Sequence, residues 1–596
     1  MDKIFKRLLC ASIVLNSWFM SFNFLMAQEN GGYNESVVVR GSYRPVIEQS
    51  DKISFPAVIT DTLGRIERDF SYSITPTRLR SLYEPTRIKA AHMKGEPTTK
   101  LYNNYLRLGV GYYPSTLADL YWCSTRDHEK TYGIRMNHNF SWGSIPDYGK
   151  NFFGQTAVTL FGKYIVADKL QLSSDISYEH DHNLYYGFSD STLQAVLGKV
   201  RDSIALSDYR ASYNIATINI GLKNMQLDPN KLGYAANVHV SDLWAYWGQN
   251  EFNLNVGGDI HYGFNIKDRY KGVAYLRAEF DGYRNSCRFG NEMPLGYYTT
   301  PLADTVVGWR NIVKVNPYAD FLFSGLMFHT GLTAGWDSYT TDTSTTFRLF
   351  PDVVVSKSLL KDALVLSLGA TGGFDANNWN AIRLLNPYIA PDAEQRATRH
   401  YDFTFHARWN PSRKIEVNAE AGFQMMQDDL TFTLDDDYTL QNVYRPMYVD
   451  DNRFNVGGTV AFVNDEMLTL IAGGHYYRYT YVDDKSPLAP TTPNTAYQKP
   501  LYRPDWDALV CAKVNYHDKW FLYLEGQLLG RMSGDLGETL PMRYGIAAEV
   551  EYRHNRALSF FLKMDNLAFQ RYCLWSNYPS QRGLFLLGLT YTVPNK

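Results

Sequence analysis

The residues best able to do chemistry are clustered carboxylates and one pair of histidines. Aspartates stand together at positions 435–437, 450–451 and 483–484. Carboxylate oxygens are the ligands that Ca²⁺ prefers, so these clusters are calcium candidates, although solvated acidic loops are the alternative and no Asp-x-Asp-x-Asp-Gly loop is present. His180 and His182 would share one face of a strand, but two ligands do not complete a metal site. We therefore expect no resident metal and name calcium as the only cofactor to test.

Local catalytic motifs are missing from the chain. It contains no Gly-x-Ser-x-Gly elbow, no His-Glu-x-x-His pair and no Walker loop. The 59 Lys and Arg residues nearly balance the 61 Asp and Glu residues, which gives no basic surface of the kind that binds nucleic acid. The sequence thus predicts a protein that is not an enzyme and does not bind nucleic acid.

Alternating strands are the elements that would position the polar residues. In the first strand Leu106, Leu108 and Val110 point to one face, whereas Arg107 and Gly109 point to the other. The same alternation continues segment by segment and predicts about 22 strands, within a range of 20 to 24. We predict an all-β, transmembrane antiparallel barrel over residues 101–596. A soluble propeller or stacked sandwich is the alternative, but its strands would be shorter.

Long and short connections between these strands segregate to opposite sides. Short connections include the sequences VADK, NPSRK, VNDEM, YHDK and RHNR. Long ones span roughly residues 182–208, 283–307, 374–400, 427–451 and 482–506. Outer-membrane barrels have short periplasmic turns and long extracellular loops. We therefore predict an integral protein of the outer membrane, in contact with its lipid, with both barrel ends in the periplasm.

Polar side chains on the other strand face are candidates for a lumen lining. The candidates are Arg107, Arg135, Arg277, Glu279, Glu416, Glu420, Glu525 and Glu549. Their mixed signs argue against a strongly ion-selective pore, and the simpler interpretation is an ordinary wet barrel interior. A barrel of this size has to be filled. The N-terminal segment, inward-folded outer loops or a partner protein are the possible fillings.

The first 27 residues have the features of a secretory signal peptide. Lys3, Lys6 and Arg7 precede an apolar stretch over residues 8–26, and Ala27 is the expected cleavage point. An anchor helix is the alternative, but polar residues interrupt the apolar stretch and leave it short for a span. Export across the inner membrane is the prediction that agrees with an outer-membrane barrel.

The closing segment carries a family resemblance. The sequence KMDNLAFQRYCLWSNYPSQRGLFLLGLTYTV resembles the C-terminal end of TonB-dependent receptors. The matching positions include Asn566, Leu567, Tyr572, Pro579, Arg582, Gly583, Gly588, Leu589 and Tyr591. Two features depart from the family pattern: the order Arg582-Gly583 is reversed, and Val593 replaces the usual terminal aromatic residue. The resemblance implies a transport receptor without enzymatic activity.

A second resemblance lies near the mature N-terminus. Glu35, Ser36, Val37, Val38 and Val39 resemble a TonB box, the short segment that such receptors offer to TonB. An extended Val-rich strand suits pairing by edge addition, although an ordinary strand or tether is the alternative. Family receptors place a large plug between box and barrel, whereas here only residues 28–100 are available. We interpret this segment as a reduced plug or a tether.

Together these features predict an outer-membrane transport barrel of TonB-dependent-receptor type that passes a substrate as a gated pore. The alternative is a non-transporting barrel subunit of an outer-membrane assembly or secretion complex. The box-like segment favours transport, and the short N-terminal segment favours the alternative. Candidate partners are accordingly TonB or another envelope protein, and no motif names the substrate.

Overall fold

The computed structural model describes most of the chain after residue 101. It describes residues 102–592 except 125–126, 128, 226–230, 267–269, 289–304, 340–344, 465–466 and 484–500. These residues form one closed antiparallel sheet of 22 strands, each paired with its neighbour in sequence, and the last strand pairs with the first. The predicted transmembrane β-barrel and its strand number are confirmed. The predicted signal peptide and the segment 28–100 lie outside the described residues.

The strands are numbered β1 to β22 in chain order. Their bounds are Asn104–Tyr112, Ser115–Cys123, Lys130–Ser141, Phe153–Val166, Leu170–Leu184, Arg210–Asn224, Gly233–Ala245, Gln249–Ile266, Tyr270–Arg288, Thr305–Phe323, Leu326–Tyr339, Thr345–Leu359, Leu364–Asp375, Thr398–Ser412, Ile415–Leu434, Tyr444–Asn464, Leu468–Asp483, Trp506–Tyr516, Trp520–Leu529, Arg543–Arg553, Leu558–Asp565 and Leu584–Tyr591. Two short α-helices lie in the connections, α1 at Asp190–Leu197 and α2 at Trp379–Leu385. No helix in the described part of the chain is long and apolar enough to cross a membrane.

The two faces of the barrel wall differ in the way that the alternation predicts. Large apolar side chains point outward from many strands and are exposed; examples are Leu160, Ile176, Leu276, Leu332 and Leu368. In β21, Phe560 and Leu562 are exposed outward, whereas Phe561 and Lys563 are buried inside. An outward apolar face suits lipid, because the hydrocarbon cannot hydrate polar groups. The wall is therefore built to stand in a membrane.

Connection lengths are asymmetric, as predicted. The connections after even-numbered strands are short: residues 324–325 are one of the shortest, and residues 225–232 are the longest. Most connections after odd-numbered strands are longer, including residues 185–209, 376–397 and 566–583. We call the latter side the outer side, because outer-membrane barrels carry their long loops outside the cell. One boundary prediction was wrong: residues 427–451 are not a long loop, because β15 and β16 continue to residues 434 and 444.

The barrel closes where β22 lies beside β1. Leu108 is opposite Leu589, and Gly109 is opposite Gly588. A Cβ atom on Gly588 would stand 2.2 Å from the carbonyl oxygen of Leu108 and 2.3 Å from Cζ of Phe561. Only glycine leaves room for this ring against the closing strand pair. The predicted closing glycine thus has a packing role in sealing the barrel.

Candidate functional site

The outer mouth of the barrel is filled by its own connections. We use the name cap for residues 185–209, 376–397, 429–449, 501–505, 530–542 and 566–583. Their apolar side chains pack with those at the upper end of the wall into one buried cluster. Its fully or nearly fully buried members include Tyr185, Phe188, Leu193, Trp379, Ile382, Ile389, Leu440, Tyr444 and Tyr578. Of the three possible fillings, inward-folded outer loops are therefore present at this end.

The hairpin of β15 and β16 enters the cap through a bulge. The register of the two strands shifts between Met426 and Asp429, and Asp428 has a φ angle of 53°. Before the bulge, exposed and buried residues alternate; after it, Leu430, Thr431 and Phe432 are all buried. Both faces of the hairpin end are thus covered by protein. A β-bulge bends its strand, and here the bend directs the hairpin end over the lumen.

A bridging loop, residues 376–397, spans from β13 to the wall at β5 and β8. Glu251 of β8 accepts hydrogen bonds from the backbone N–H of Trp379 at 2.6 Å and from Nδ2 of Asn378 at 2.8 Å, at the start of α2. A carboxylate stabilises a helix N-terminus, where backbone N–H groups lack partners. Arg383 of α2 forms an ion pair with Asp181 of β5, with 2.7 Å between Nη1 and Oδ2. Both side chains are almost completely buried.

The two ends of the bridging loop are also fixed to the wall. Arg310 of β10 pairs with Asp337 through two nitrogens, at 3.0 and 3.1 Å, and donates a third hydrogen bond to the carbonyl of Ala376. At the other end, Asn285 Nδ2 donates to Gln395 Oε1 at 2.7 Å. Departure of the loop would remove one hydrogen-bond acceptor from the buried guanidinium of Arg310, which is unfavourable away from water. The bridging loop is therefore a fixed part of the cap.

Three tyrosines from three loops meet at the cap centre. The rings of Tyr388 and Tyr578 stack with centroids 3.5 Å apart and planes 12° apart, and Tyr186 lies edge-on to Tyr578 at 5.1 Å. The Tyr186 hydroxyl donates to the carbonyl of Pro579 at 2.9 Å. Burial raises the pKa of Tyr186 and of Tyr578 well above the ordinary value. Both phenols thus stay protonated, and the centre is a neutral aromatic contact.

Asp535 connects three other segments of the cap. Its Oδ2 accepts hydrogen bonds from the Tyr502 hydroxyl at 2.9 Å and from the backbone N–H of Leu434 at 2.7 Å. The Tyr502 hydroxyl also lies 2.8 Å from Oγ of Ser576, which donates to Glu538. Burial raises the pKa of Asp535 to about 6. The closed cap consequently holds a carboxyl group that titrates in a physiological range.

Beneath the cap, the inner wall is polar, and most of the predicted lumen residues contact a charged, polar or aromatic neighbour. The eight lumen candidates all lie on the face opposite the apolar band. Their contacts include Arg107 with Glu549 at 2.6 Å, Glu279 with Lys314 at 3.7 Å, Glu420 with His475 at 3.1 Å, Glu525 with Gln527 at 2.7 Å, Glu416 with Asn418 at 2.9 Å, and Arg277 over the ring of Tyr318 at 5.6 Å. Arg135 is opposite Tyr121 and Thr159 in the wall. The lining presents hydrogen-bonding groups of both signs.

Two of the outer acidic clusters include an aspartate that pairs with arginine, Asp435 in one and Asp451, 3.9 Å from Arg503, in the other. Asp435 contacts Arg445 at 2.7 Å, and Arg445 also reaches Asp392 at 3.1 Å. His180 and His182 bond to Asn214 at 2.8 Å and Ser212 at 3.0 Å. Over the residues that the structure describes, no three His, Cys, Asp or Glu side chains are grouped to hold a metal ion. Asp484 lies outside those residues.

The closing motif divides between turn, cap and wall. Asn566 adopts a φ of 50° and donates through Nδ2 to the carbonyls of Gln570 and Gln581, while Leu567 N–H donates to Ile546. Tyr572 is buried beneath the guanidinium of Arg543, and Pro579 lies at the cap centre. Gly583, next to Arg582, stands against the ring of Phe569, and Leu589 and Tyr591 pair with β1 and β21. The TonB-box-like residues Glu35 to Val39 lie outside the described residues.

Sequence reasoning missed the residues that make the cap. Tyr186, Tyr388, Glu251, Arg383 and Asp535 were not among the candidates, because their partners are far away in the sequence. The partners in the Tyr186 to Pro579 contact, for example, are 393 positions apart. No local signal marks the hairpin end either: Leu430-Thr431-Phe432 still alternates apolar and polar residues, as an ordinary half-buried strand does.

Comparison with known proteins agrees with this architecture. No protein-family model matches the chain, and no curated protein sequence matches it. Among solved structures, the ferric-catecholate import receptor Fiu of E. coli K12 is 11% identical, with a TM-score of 0.59 over 83% of this chain and 82% of that one. The ferric enterobactin receptor PfeA of Pseudomonas aeruginosa, in complex with enterobactin, is 11% identical, with a TM-score of 0.59 over 82% and 81%. The siderophore receptor PirA of Acinetobacter baumannii is 10% identical, with a TM-score of 0.59 over 84% and 81%.

The chain shares the barrel fold of these receptors. This likeness confirms the fold that the closing motif implied. The proteins that share it are described as receptors rather than enzymes, in line with the absence of a catalytic motif. At this level of identity the likeness extends to the fold, and the activity has to be argued from the residues of this chain.

Proposed function

We propose that the protein passes a substrate across the outer membrane through its lumen and that the cap is the outer gate. The supporting observation is the contrast between the two halves of the interior. The lower wall is lined by polar and charged groups, whereas the outer mouth is filled by a buried aromatic cluster. A hydrated passage closed at one end by movable loops suits a gated transporter, because a wide open barrel would let solutes leak through.

The neutral contacts at the cap centre support a gate rather than a permanent wall. Stacked rings and tyrosine hydrogen bonds to backbone carbonyls can be exchanged for contacts with a ligand or with water. The solved structures of the same fold include a ferric-catecholate import receptor and a ferric enterobactin receptor in complex with enterobactin. A bulky, polar substrate captured at the outer loops is the corresponding proposal for this chain.

TonB is the proposed energy-coupling partner, through residues 35–39. Binding of the purified protein to the C-terminal domain of TonB should be lost in Val38→Pro, because proline removes a backbone donor from an added strand. Val38→Ile keeps the donor and should bind as the unaltered chain does. Binding that survives the proline change would rule out this segment as the TonB box.

Conductance in planar bilayers tests the gated pore. The full chain, a chain lacking residues 28–100, and a chain that lacks residues 28–100 and also has residues 572–580 replaced by a Gly-Ser linker should be compared. Current that appears when the closures are removed supports a pore. If none of the folded forms conducts, the proposal fails, and co-purification of a stoichiometric partner would then favour the non-transporting subunit.

A further inference from the structure

We infer that the gate opens by withdrawal of one element, residues 575–579 of the last outer loop, while the bridging loop stays in place. This inference rests on the proposed function. We call residues 575–579 the closing tip. They belong to the loop that joins the last two strands of the barrel, so the segment that completes the barrel wall also completes the cap.

The closing tip forms hydrogen bonds with four other segments of the cap. Tyr186 donates to the carbonyl of Pro579 at 2.9 Å, and Tyr444 donates to the carbonyl of Ser576 at 2.8 Å. Tyr578 in turn donates to the carbonyl of Asn442, a residue of the hairpin end. These three bonds reach the loop 185–209 and the β16 side of the hairpin end, and Ser576 adds bonds with Tyr502 and Glu538 in two further segments. Withdrawal of the tip therefore removes partners from several loops in one step.

Aromatic packing centres on the same five residues. Trp575 lies 4.8 Å from Tyr502, 5.4 Å from Tyr444 and 5.1 Å from Phe432, measured between ring centroids. Tyr578 stacks on Tyr388 of the bridging loop. The tip thus packs on both the bridging loop and the hairpin end, which also join each other directly: Tyr444 N–H donates to the carbonyl of Tyr388 at 2.8 Å, and Ala390 N–H donates to the carbonyl of Tyr444 at 2.7 Å. Withdrawal of the tip would vacate the space that the side chains of Trp575 and Tyr578 fill beside this joined pair.

The contacts of the tip and of the bridging loop differ in kind. The bridging loop is held by the buried pair Arg383 and Asp181 and by the carboxylate of Glu251. Separating it from the wall would leave charges unpaired in the protein interior, which is strongly unfavourable. The tip itself carries no charged side chain. Its hydrogen bonds join neutral groups to backbone carbonyls, and Ser576 adds bonds with the Tyr502 hydroxyl and the Glu538 carboxylate; water can replace the tip in each of them. The tip is therefore the part of the cap that can leave most easily.

The loop that carries the tip is attached at its two ends. Gln581 Nε2 donates to Asn151 Oδ1 at 2.9 Å, and Gln570 Nε2 donates to the carbonyl of Met542 at 2.8 Å. Both contacts join the loop to neighbouring outer connections rather than to the cap centre. The tip can consequently swing out between residues 570 and 581 while β21 and β22 remain paired.

Labelling of a cysteine beneath the cap measures this movement directly. Asp259 lies on β8, eight residues below Glu251 and about 25 Å further down the wall, and its side chain is 31% exposed in the lumen. Asp259→Cys is made in the full chain with the five native cysteines changed to serine. Intact cells are treated with a maleimide dye too large for general porins. The cap should keep labelling slow in this reference form.

Two tyrosine variants separate the tip from the rest of the cap. Tyr578→Ala removes the central ring and should raise the labelling rate by about tenfold or more, because the closed state loses a buried aromatic contact. Tyr448→Ala removes a similarly buried ring, whose hydroxyl donates to the backbone carbonyl of Glu394 in the bridging loop at 3.0 Å. It should stay within about twofold of the reference. Mobility of the unheated protein on gels confirms that each barrel is folded.

Equal acceleration by both variants, or none by Tyr578→Ala, would overturn the inference. In Tyr578→Phe the stack remains and the hydroxyl is lost, so its rate should fall between those of the reference and the alanine variant. These outcomes are distinct from a failure of the proposed function. A barrel that opens to dye in Tyr578→Ala but conducts in no form would have a movable tip without being a pore.

Discussion

The ring of Tyr388 lies stacked on the ring of Tyr578 at 3.5 Å between centroids, although the two residues belong to loops on different parts of the barrel rim. Each loop has its own attachment to the wall, and this stack is where the fixed bridging loop meets the closing tip. The closed state of the mouth therefore depends on a contact that neither loop can form alone.

A double-mutant cycle on this pair should show strong coupling. We expect Tyr388→Ala and Tyr578→Ala each to accelerate labelling of the cysteine at position 259, and the double variant to accelerate it by less than the product of the two. The coupling should be about 0.5–1.5 kcal/mol, the usual range for an aromatic pair. Strictly multiplicative rates would show that the two rings act independently.

The buried ion pair of the bridging loop should be essential to stability. Arg383→Gln leaves Asp181 charged in a site where both side chains are almost fully buried. The free energy of unfolding should fall by about 3–5 kcal/mol, because an uncompensated buried charge is unfavourable. Urea unfolding followed by tryptophan fluorescence measures this change.

A matched arginine in the same loop provides the control. Arg396 pairs with Glu394, and the side chains are 43% and 55% exposed. Arg396→Gln should change the free energy of unfolding by no more than about 1 kcal/mol, since solvent screens the pair. Equal losses in the two variants would contradict the assignment of the bridging loop as a fixed element.

Barrel closure should depend on the glycine at position 588. Gly588→Ala places a methyl group where the Leu108 carbonyl and the Phe561 ring already stand. We expect a loss of about 1–3 kcal/mol in stability from this overpacking, visible as a lower fraction of folded barrel on unheated gels. Gly526→Ala is the control, because a Cβ atom there meets nothing within 4 Å. A folded fraction unchanged in Gly588→Ala would count against tight packing at the closure.

The cap should be more stable in mild acid than in mild alkali. The pKa of Asp535 is raised to about 6 by burial, so the closed cap favours the protonated carboxyl. This contribution is fully present below the ordinary carboxyl pKa of about 4 and is lost as the pH rises through 6. Hydrogen exchange of the backbone amides of residues 434–444 measures this effect. After division by the intrinsic exchange rate at each pH, the exchange rate should be lower at pH 5 than at pH 8.

Two substitutions test whether Asp535 is responsible. Asp535→Asn keeps a side chain of the same shape without a titratable group, and the corrected protection should then lose most of its dependence on pH. Asp436→Asn alters an exposed carboxylate one residue from the buried Asp435 and should leave that dependence in place. A dependence on pH that persists in Asp535→Asn would assign it to another group.

Strand number and orientation could be predicted from the sequence because the signal is local. Leu106 and Leu108 alternate with their direct neighbours Arg107 and Gly109. The same pattern is expected in every strand whose one face contacts lipid. The lengths of the loops can also be predicted, because they follow from the spacing between such strands. Gly588 was predicted from the family resemblance. The structure explains why a glycine stands there, because the Phe561 ring leaves no room for a side chain.

The cap could not be predicted in the same way. Its contacts join segments that are distant in sequence, and a tyrosine in an outer loop has the same local pattern whether it faces solvent or a buried carbonyl. The acidic run at 435–437 suggested a solvated or calcium-binding loop, yet Asp435 is buried against Arg445. Whether a loop folds inward depends on partners such as Asp181 and Glu251, which alternation places only on the inner face of the wall.

Single-channel recording tests the account most directly. The chain lacking residues 28–100 is compared with the same chain carrying Tyr578→Ala, both folded and inserted in planar bilayers. We predict that the first is silent, because the cap closes it, and that the second shows stepwise currents. Silence in both would contradict a pore, and equal currents in both would contradict a gate formed by the cap.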